Sequence, residues 1–486
     1  MSLRPPALVR EIPAGNALFA FRRLGDLPHA FSLHSALPDA RSRWSFFGAE
    51  PFAVFGPGEY EEAIALWRRA RTATKHPVEH TAPFTGGLVG CWSYDFGRRL
   101  ERLPAVARDD VGWPDVWLAA YDVVGAFEHA TGRAWLIADP AAPVDRARSV
   151  AKLEAQARRL EELEPGGETG NDTVPMSLIP PPRFATSTFP ADAYRRAVER
   201  IREHIRSGDI FQANLSQRWT LQHDDRTRRR RPGEIARWIF LHAAGQSPAP
   251  FSACLDLGGH AIASASPESF LELRGRRIET RPIKGTRPRG TDATADARLG
   301  AELLASEKDR AENVMIVDVL RNDLGRVAER GSVAVPELCA LEAFPQVFHL
   351  TSTVTAELRH GLDAIDLLHA CFPGGSITGA PKIRAMEILE ALEPVRRHLY
   401  TGAIGWLDWR GDLSTSIAIR TAMVSGDAIR FAAGGGIVAD SDPEAEYRET
   451  LAKAEGLRRA LGAAGWPVRL EGGPVADPRA FVETRP

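Results

Sequence analysis

The PIKGT segment at residues 282–286 contains Lys284, and lysine is rare in this chain, which has 6 Lys against 55 Arg. Arginine keeps its proton in proteins, whereas a partly desolvated lysine can lose its proton and act as a nucleophile or a base. The alternative is a solvated surface lysine beside a turn glycine. Small residues, turn formers and charges cluster nearby, at 264–269 and 287–290, without the alternation of a surface strand. This clustering favours amine chemistry at Lys284.

A first candidate carboxylate is Glu312, which lies in a predicted helix. Leu304, Met315, Ile316 and Val319 form the apolar stripe of that helix, and helical spacing places Glu312 on the same face. A carboxylate on an apolar face must be paired, hydrogen-bonded or bound to a metal. A salt bridge to an arginine is the alternative to a metal site.

Two further carboxylates, Glu446 and Glu449, lie one turn apart in a helix that is predicted to begin at Asp442 and Pro443, an N-cap followed by proline. Three glycines at 434–436 precede this helix. Glycines between a strand and a helix allow backbone N–H groups to approach an anion closely. Carboxylates from two helices beside such a loop fit a hard cation, and we expect Mg²⁺.

A second glycine-rich loop, GGSITGAPK at 374–382, has the spacing of a phosphate-binding loop. Ala380 replaces the lysine of that motif and Pro381 replaces its serine or threonine, so a nucleotide P-loop is rejected. The loop remains a candidate for binding a carboxylate-bearing ligand. His349 precedes a predicted strand, and its alternative interpretation is a buried, hydrogen-bonded core residue.

The elements that must position these residues follow from the length and the pattern of the chain. A chain of 486 residues can bury a large core. Short apolar runs separated by Gly and Pro predict antiparallel strands up to about residue 140, and helices are predicted at 144–163 and 190–207. Turn formers predict a linker and a poorly ordered tail. The expected organisation is an N-terminal region at 1–163, a linker at 164–183, a catalytic region at 184–465 and a tail at 466–486.

Charge and composition exclude several classes of protein. The net charge of -2 argues against a nucleic-acid or anionic-membrane surface, and the arginine run at 226–231 is interpreted as a solvated loop because no aromatic residues interleave with it. No apolar stretch reaches the roughly 18 residues of a membrane span, so we expect a cytoplasmic protein. The cysteines lack metal-type spacing and are expected in the core: Cys91, Cys254, Cys339 and Cys371.

Several ordered motifs resemble the chorismate-utilising enzymes over nearly the whole chain. They are GDIFQANLS at 208–216, SPES at 266–269, ETRPIKGT at 279–286, AENVMIVDVLRNDLG at 311–325, GGSITGAPK at 374–382 and GGGIVAD at 434–440. In the N-terminal part, the segments at 33–35, 43–51 and 86–90 are similar to the branch that makes aminodeoxychorismate. That region also resembles the tryptophan-binding part of these enzymes. The resemblance implies an α/β (α+β) fold, a sandwich of two antiparallel sheets with helices outside and the N-terminal region packed into the same body.

Two positions discriminate within the family. Lys284 lies where the anthranilate synthases carry alanine, and in the aminodeoxychorismate branch the resemblance implies that this lysine attacks chorismate. Gln212 lies where the enzymes that add water carry a lysine base. Together they imply that ammonia is the final nucleophile and that carbon 4 of chorismate is its target.

The resemblance also implies roles for individual residues. Glu312 and Glu449, supported by Glu446, would hold Mg²⁺, and Glu268 would protonate the departing hydroxyl while Lys284 attacks carbon 2. His349 matches a family histidine associated with pyruvate loss in anthranilate synthase. The residues expected to bind the substrate are Gln212, Thr286, Ser376, Tyr400, Arg420, Gly434 and Gly436.

The expected partners are chorismate, ammonia and a separate glutamine amidotransferase subunit, with the product serving p-aminobenzoate and folate synthesis. None of the four cysteines has the Gly-x-Cys-x-Gly setting of a glutaminase nucleophile. The alternatives are anthranilate synthase component I, which Lys284 disfavours, and a non-catalytic ligand-binding relative. The second alternative would be expected to lose its carboxylates, yet Glu268, Glu312, Glu446 and Glu449 are all present.

Overall fold

The computed structural model describes residues 7–13, 15–35, 43–71, 82–162, 183–225, 227–246, 248–344 and 347–471. The expected linker lies outside the described residues except for Arg183, and so does the first residue of the arginine run, Arg226. The helices are α1 Ala17–Leu24, α2 Tyr60–Ala70, α3 Gly97–Leu100, α4 Arg146–Glu161, α5 Ala191–Arg206, α6 Pro232–Gln246, α7 Ala293–Ala305, α8 Glu307–Gly325, α9 Ala364–Cys371, α10 Lys382–Leu392 and α11 Pro443–Ala463.

The strands are β1 Leu8–Ile12, β2 Phe31–His34, β3 Trp44–Gly48, β4 Ala53–Phe55, β5 Gly87–Trp92, β6 Val116–Tyr121, β7 Val123–Glu128, β8 Arg133–Ala138, β9 Arg183–Ser187, β10 Gln212–Gln222, β11 Phe251–Asp256, β12 His260–Ser266, β13 Ser269–Arg274, β14 Arg277–Thr280, β15 Ile283–Pro288, β16 Ala334–Ala343, β17 Val347–Glu357, β18 Gly379–Ala380, β19 Ala403–Asp408, β20 Leu413–Ile417, β21 Thr421–Ser425, β22 Ala428–Ile437 and β23 Val468–Leu470.

These strands form two large sheets. In the larger sheet the order is β1-β8-β7-β3-β2-β11-β12-β21-β22-β10-β9-β23, with β18 also paired to β10. In the smaller sheet the order is β15-β17-β14-β13-β20-β19-β5-β6-β4, with β16 also paired to β17. The pairing is antiparallel except between β9 and β23. Strands before residue 140 enter both sheets, since β2 pairs with β11 and β5 pairs with β19.

Three large apolar clusters explain why the strands are apolar on both faces. Alternate residues of a strand point to opposite faces, so Val89 of β5 enters the cluster between the sheets while Leu88 enters the cluster under α2, α8 and α9. In β12, Ile262 likewise faces the other sheet, and Ala263 faces α1, α4, α6 and α11. The expected sandwich of two antiparallel sheets with helices outside is confirmed.

Local chemistry sets the ends of the helices that reach the site. Asp442 caps α11 by accepting a hydrogen bond from the Ala445 N–H at 2.8 Å, as its sequence predicts. Ser306 caps α8 in the same way through the Asp309 N–H at 3.3 Å. The helix predicted around Glu312 is thus two helices, α7 and α8. The predicted apolar stripe is wrong at Leu304, because Leu304 lies on α7 and is 40% exposed.

Two other expectations need correction. Gly434, Gly435 and Gly436 lie within β22, where they pair with β10, and do not form a loop between a strand and a helix. Residues Val468–Leu470, expected in a poorly ordered tail, form β23 parallel to β9. Among the described residues, no helix is long and apolar enough to cross a membrane.

Candidate active site

A cavity of about 590 Å³ lies where both sheets meet α8 and α11. It gathers side chains that are far apart in the sequence. Of the thirteen predicted site residues, twelve line this cavity: Lys284, Glu268, His349, Thr286, Ser376, Tyr400, Arg420, Gly434, Gly436, Glu312, Glu446 and Glu449. The remaining residue is Gln212.

Lys284 reaches the cavity from β15, beside an irregularity in the strand. The pairing with β17 shifts register between Lys284 and Thr286, and the intervening Gly285 has a φ of 78°, which glycine adopts without strain. The Lys284 Nζ donates a hydrogen bond to the Ser376 carbonyl oxygen at 2.9 Å. Burial lowers the pKa of Lys284, although Glu312 and Glu268 oppose this shift. A lowered pKa increases the fraction of neutral amine, which is the nucleophilic form.

Glu268 lies in the short connection between β12 and β13 and is 6% exposed. Burial raises the pKa of the Glu268 carboxyl, while the Ser376 hydroxyl and the Lys284 charge partly offset the rise. A carboxyl with a raised pKa holds a proton that it can donate. The pKa of Glu268 is thus raised and the pKa of Lys284 is lowered, and both side chains interact with Ser376. Such opposite shifts are typical of paired acid and base groups.

Arg420 is a cation without a carboxylate partner among the described residues. Burial alone lowers the pKa of its guanidinium, and no acidic side chain raises it. Its φ of 50° is unusual for a residue with a side chain, and such strain concentrates at ligand sites. A guanidinium with free donors in a cavity is suited to bind a carboxylate from two parallel N–H groups.

His349 is 4% exposed, lies on β17 and lines the cavity together with Arg420. Burial and the Arg420 charge lower the pKa of His349 to about 4, so the ring is neutral at physiological pH. Its Nδ1 lies 2.9 Å from the Thr286 hydroxyl. The ring thus fixes a hydroxyl that lines the cavity.

The three candidate metal carboxylates come from α8 and α11. A Cβ placed on Gly435 would lie 2.9 Å from Glu446 Oε2 and 3.8 Å from Glu449 Oε1. The two carboxylates of α11 therefore lie against the backbone of Gly435. Burial raises the pKa values of Glu312 and Glu446, and repulsion between carboxylates adds to both shifts. A cation among these groups would relieve that repulsion, so their donor chemistry fits a hard metal ion.

The geometry of these carboxylates is not that of a closed metal site. Within the part of the chain that the structure describes, no three acidic, histidine or cysteine side chains converge as metal ligands. Glu446 Oε1 accepts a hydrogen bond from the Ser441 hydroxyl at 2.6 Å, and Glu449 Oε1 pairs with Lys453 Nζ at 2.7 Å. The predicted set of three ligands is therefore brought to one cavity without being assembled around one point.

Gln212 does not line the cavity. It is 1% exposed and packs against Gly436, because a Cβ placed on Gly436 would fall 2.1 Å from the Gln212 Nε2. Gln212 lies two residues before Asn214 on β10, so the two side chains share a face of the strand, and Asn214 lines the cavity. Its Oε1 is buried and has no hydrogen-bond partner among the described residues. The predicted contact between Gln212 and the substrate therefore stays a prediction.

Lys308 and Lys453 also line the cavity, and the sequence reasoning did not find them. Lys453 Nζ donates to the Gly434 carbonyl at 3.0 Å, in addition to its ion pair with Glu449. The same signal that indicated Lys284 applies to both residues, because three of the six lysines of the chain meet in this cavity. The rarity of lysine therefore indicates all three of these cavity residues.

Comparisons with known proteins identify the family of this chain. The family model of the chorismate binding enzymes matches residues 39–459. The chain is 40% identical to the "Aminodeoxychorismate synthase component 1" of Escherichia coli, covering 92% of this chain and 96% of the relative. It is 41% identical to the "Anthranilate synthase component 1" of Thermus thermophilus, covering 89% and 92%.

A solved structure has the same architecture. The anthranilate synthase component I of Streptococcus pneumoniae superimposes with a TM-score of 0.68 at 27% identity and covers 94% of this chain and 93% of that chain. The family match spans most of the chain and includes every residue that lines the cavity. This chain belongs to the chorismate binding enzyme family.

Proposed function

We propose that the chain converts chorismate and ammonia to 4-amino-4-deoxychorismate, as component 1 of an aminodeoxychorismate synthase. The observation that carries this proposal is Lys284, an amine with a lowered pKa in the same cavity as Glu268, a carboxyl with a raised pKa. Relatives with the aminodeoxychorismate name and with the anthranilate name have similar identities, at 40% and 41%. Lys284 favours the first activity because the anthranilate synthases resemble one another in carrying alanine there.

Chorismate carries two carboxylates, and the cavity offers two kinds of partner for them. Arg420 supplies a guanidinium to one carboxylate. Mg²⁺ held by Glu312 and Glu449, with Glu446 in support, would supply positive charge to the other and draw electron density from the ring. The hydroxyls of Thr286, Ser376 and Tyr400 and the backbone of Gly434 and Gly436 complete the binding surface.

The proposed reaction uses Lys284 as the nucleophile and Glu268 as the acid. The neutral Lys284 amine forms a bond to carbon 2 of the ring, the ring double bond shifts, and the bond between carbon 4 and its hydroxyl breaks. Glu268 donates its proton to that hydroxyl, which leaves as water. Ammonia attacks carbon 4, the double bond shifts back, and Lys284 leaves as the neutral amine. The new ammonium group gives up one proton, which restores the Glu268 carboxyl. The balance is chorismate plus ammonia giving aminodeoxychorismate plus water.

His349 takes no part in the proposed reaction, because the product keeps its enolpyruvyl group. Its pKa of about 4 makes the ring neutral at neutral pH. Its contact with the Thr286 hydroxyl gives it a role in holding the binding surface.

Ammonia is proposed to come from a separate glutamine amidotransferase. A glutaminase nucleophile needs an accessible thiolate. The four cysteines are buried and free, and burial raises the pKa of Cys91 to about 12. None of them offers that chemistry.

Product identification tests the proposed function. The purified chain is incubated with chorismate, Mg²⁺ and an ammonium salt, and the products are separated and identified by mass spectrometry. We expect 4-amino-4-deoxychorismate as the main product. Anthranilate as the main product would establish the second activity named among the relatives, and isochorismate would show that water is the nucleophile.

A further inference from the structure

Arg397 is a buried arginine that the proposed reaction does not use. It follows α10, and its side chain is 2% exposed. All three of its nitrogens donate hydrogen bonds. Nε and Nη2 each donate to Glu393 at 2.8 Å, and Nη1 donates to the Ile377 carbonyl at 3.0 Å. Nη2 also donates to the Asn214 carbonyl, and Nη1 lies 3.4 Å from the Thr401 hydroxyl.

The segments that Arg397 joins are three walls of the active-site cavity. Ile377 and Asn214 line the cavity themselves, and Thr401 follows Tyr400, which also lines it. Ile377 belongs to the turn that carries Ser376, whose carbonyl holds Lys284. These walls come from parts of the chain up to 187 residues apart, from Asn214 to Thr401. A single planar guanidinium therefore sets the distances between them.

The backbone beside Arg397 is strained. His398 and Thr401 have φ values of 53° and 63°, in a region that residues with side chains avoid. Such conformations persist only where the surrounding contacts over-determine them. Two contacts from the N-terminal region contribute here: the Asp95 carboxylate accepts from the His398 N–H at 3.0 Å, and the Tyr94 ring lies 4.7 Å from the Arg397 guanidinium carbon.

Glu393 completes this arrangement by balancing the buried charge. Its Oε1 accepts from Arg397 and also from the Ser216 N–H and hydroxyl, at 2.9 and 2.8 Å. Ser216 lies on β10 two residues after Asn214. The ion pair is thus attached to the strand that pairs with the glycines of β22.

We propose that Arg397 is a positioning residue for chorismate, acting through Ile377, Asn214 and Tyr400 without touching the substrate. This proposal rests on the proposed function of the cavity. Lysine at this position would keep the charge, but its single nitrogen cannot bridge three walls in one plane. The expected consequence of Arg397→Lys is a cavity whose walls shift relative to one another while the sheets remain folded.

The test compares Arg397→Lys with Arg410→Lys. Arg410 is a matched control, because it also pairs with a buried carboxylate, Asp408, and donates to a backbone carbonyl, that of Pro83, but does not line or brace the cavity. We measure the Kd of chorismate by calorimetry in the presence of Mg²⁺ and absence of ammonia, together with KM, kcat and Tm. Arg397→Lys is expected to raise Kd and KM about tenfold or more, since small misplacements of binding groups are costly. Arg410→Lys is expected to leave both constants unchanged.

The outcomes separate positioning from stability and from the proposed function. A purely structural Arg397 would lower Tm and the active fraction, so that kcat falls while Kd and KM keep their wild-type values, and this result would overturn the proposal. If Arg397→Lys does not fold, Tyr94→Leu decides, with an expected rise in KM of about threefold from loss of the cation–π contact. An unchanged KM in that variant overturns the proposal. If the wild type binds chorismate but makes no aminodeoxychorismate, the proposed function is refuted and the positioning role of Arg397 is not.

Discussion

Glu268→Gln separates proton donation from the other contributions of the site. Burial raises the pKa of Glu268, which increases the fraction of the neutral acid, and the carboxyl interacts with the Ser376 hydroxyl. Glutamine has nearly the same shape and is also neutral, but it has no proton to give to the leaving hydroxyl. General acid catalysis contributes about 10²- to 10⁴-fold to a rate. Glu268→Gln should therefore lower kcat by this factor, which corresponds to about 3–5 kcal/mol of transition-state stabilisation.

The same substitution should not weaken the fold. A carboxyl whose folded-state pKa is raised stabilises the protein below its unfolded pKa of about 4.3, and this contribution is lost as the pH rises through the folded pKa. At neutral pH the burial of Glu268 is thus a cost that glutamine avoids. The Tm of Glu268→Gln should equal or exceed that of the wild type, and the difference should grow between pH 5 and pH 8.

The assay measures initial rates of aminodeoxychorismate formation with saturating ammonium and Mg²⁺, and Tm by calorimetry across that pH range. Glu272→Gln serves as the control, because Glu272 lies on the adjacent β13, pairs with Arg274 and does not line the cavity. A Glu268→Gln variant that keeps more than about a third of the wild-type kcat would refute the acid assignment. A large fall in Tm would instead show that the charge of Glu268 supports the fold.

Three further predictions follow from the site. Lys284→Arg should abolish turnover, because arginine keeps its proton, and intact-protein mass spectrometry should detect a substrate adduct in the wild type only; full activity of this variant would exclude the amine nucleophile. Glu312→Gln and Glu449→Gln should each raise the Mg²⁺ concentration needed for half-maximal activity at least tenfold, since each removes an anionic ligand. Unchanged Mg²⁺ activation in both variants would show that these residues form ordinary ion pairs and do not bind the metal. With glutamine as nitrogen source the chain should be inactive until a glutamine amidotransferase is added, and efficient turnover by the homogeneous chain alone would contradict the partner assignment.

The sequence by itself determined the chemistry available and much of the local structure. Asp442 and Pro443 specified the start of α11, because capping depends on residues within one turn. The ordered motifs indicated the family, and the rarity of lysine indicated Lys284. These signals are local, so they can be interpreted without knowledge of the fold.

The tertiary structure decided which of these groups meet. Lys284 lies 92 residues from the carbonyl of Ser376 that holds it, and no periodicity in either segment specifies that contact. The glycines at 434–436 have the composition of a loop, yet pairing with β10 makes them a strand, and Gln212 packs against Gly436. Periodicity indicates which face of an element is buried, but the element that covers it depends on strand pairing and packing between distant segments. Arg397 shows the same limit, because its role exists only once three distant walls surround one guanidinium.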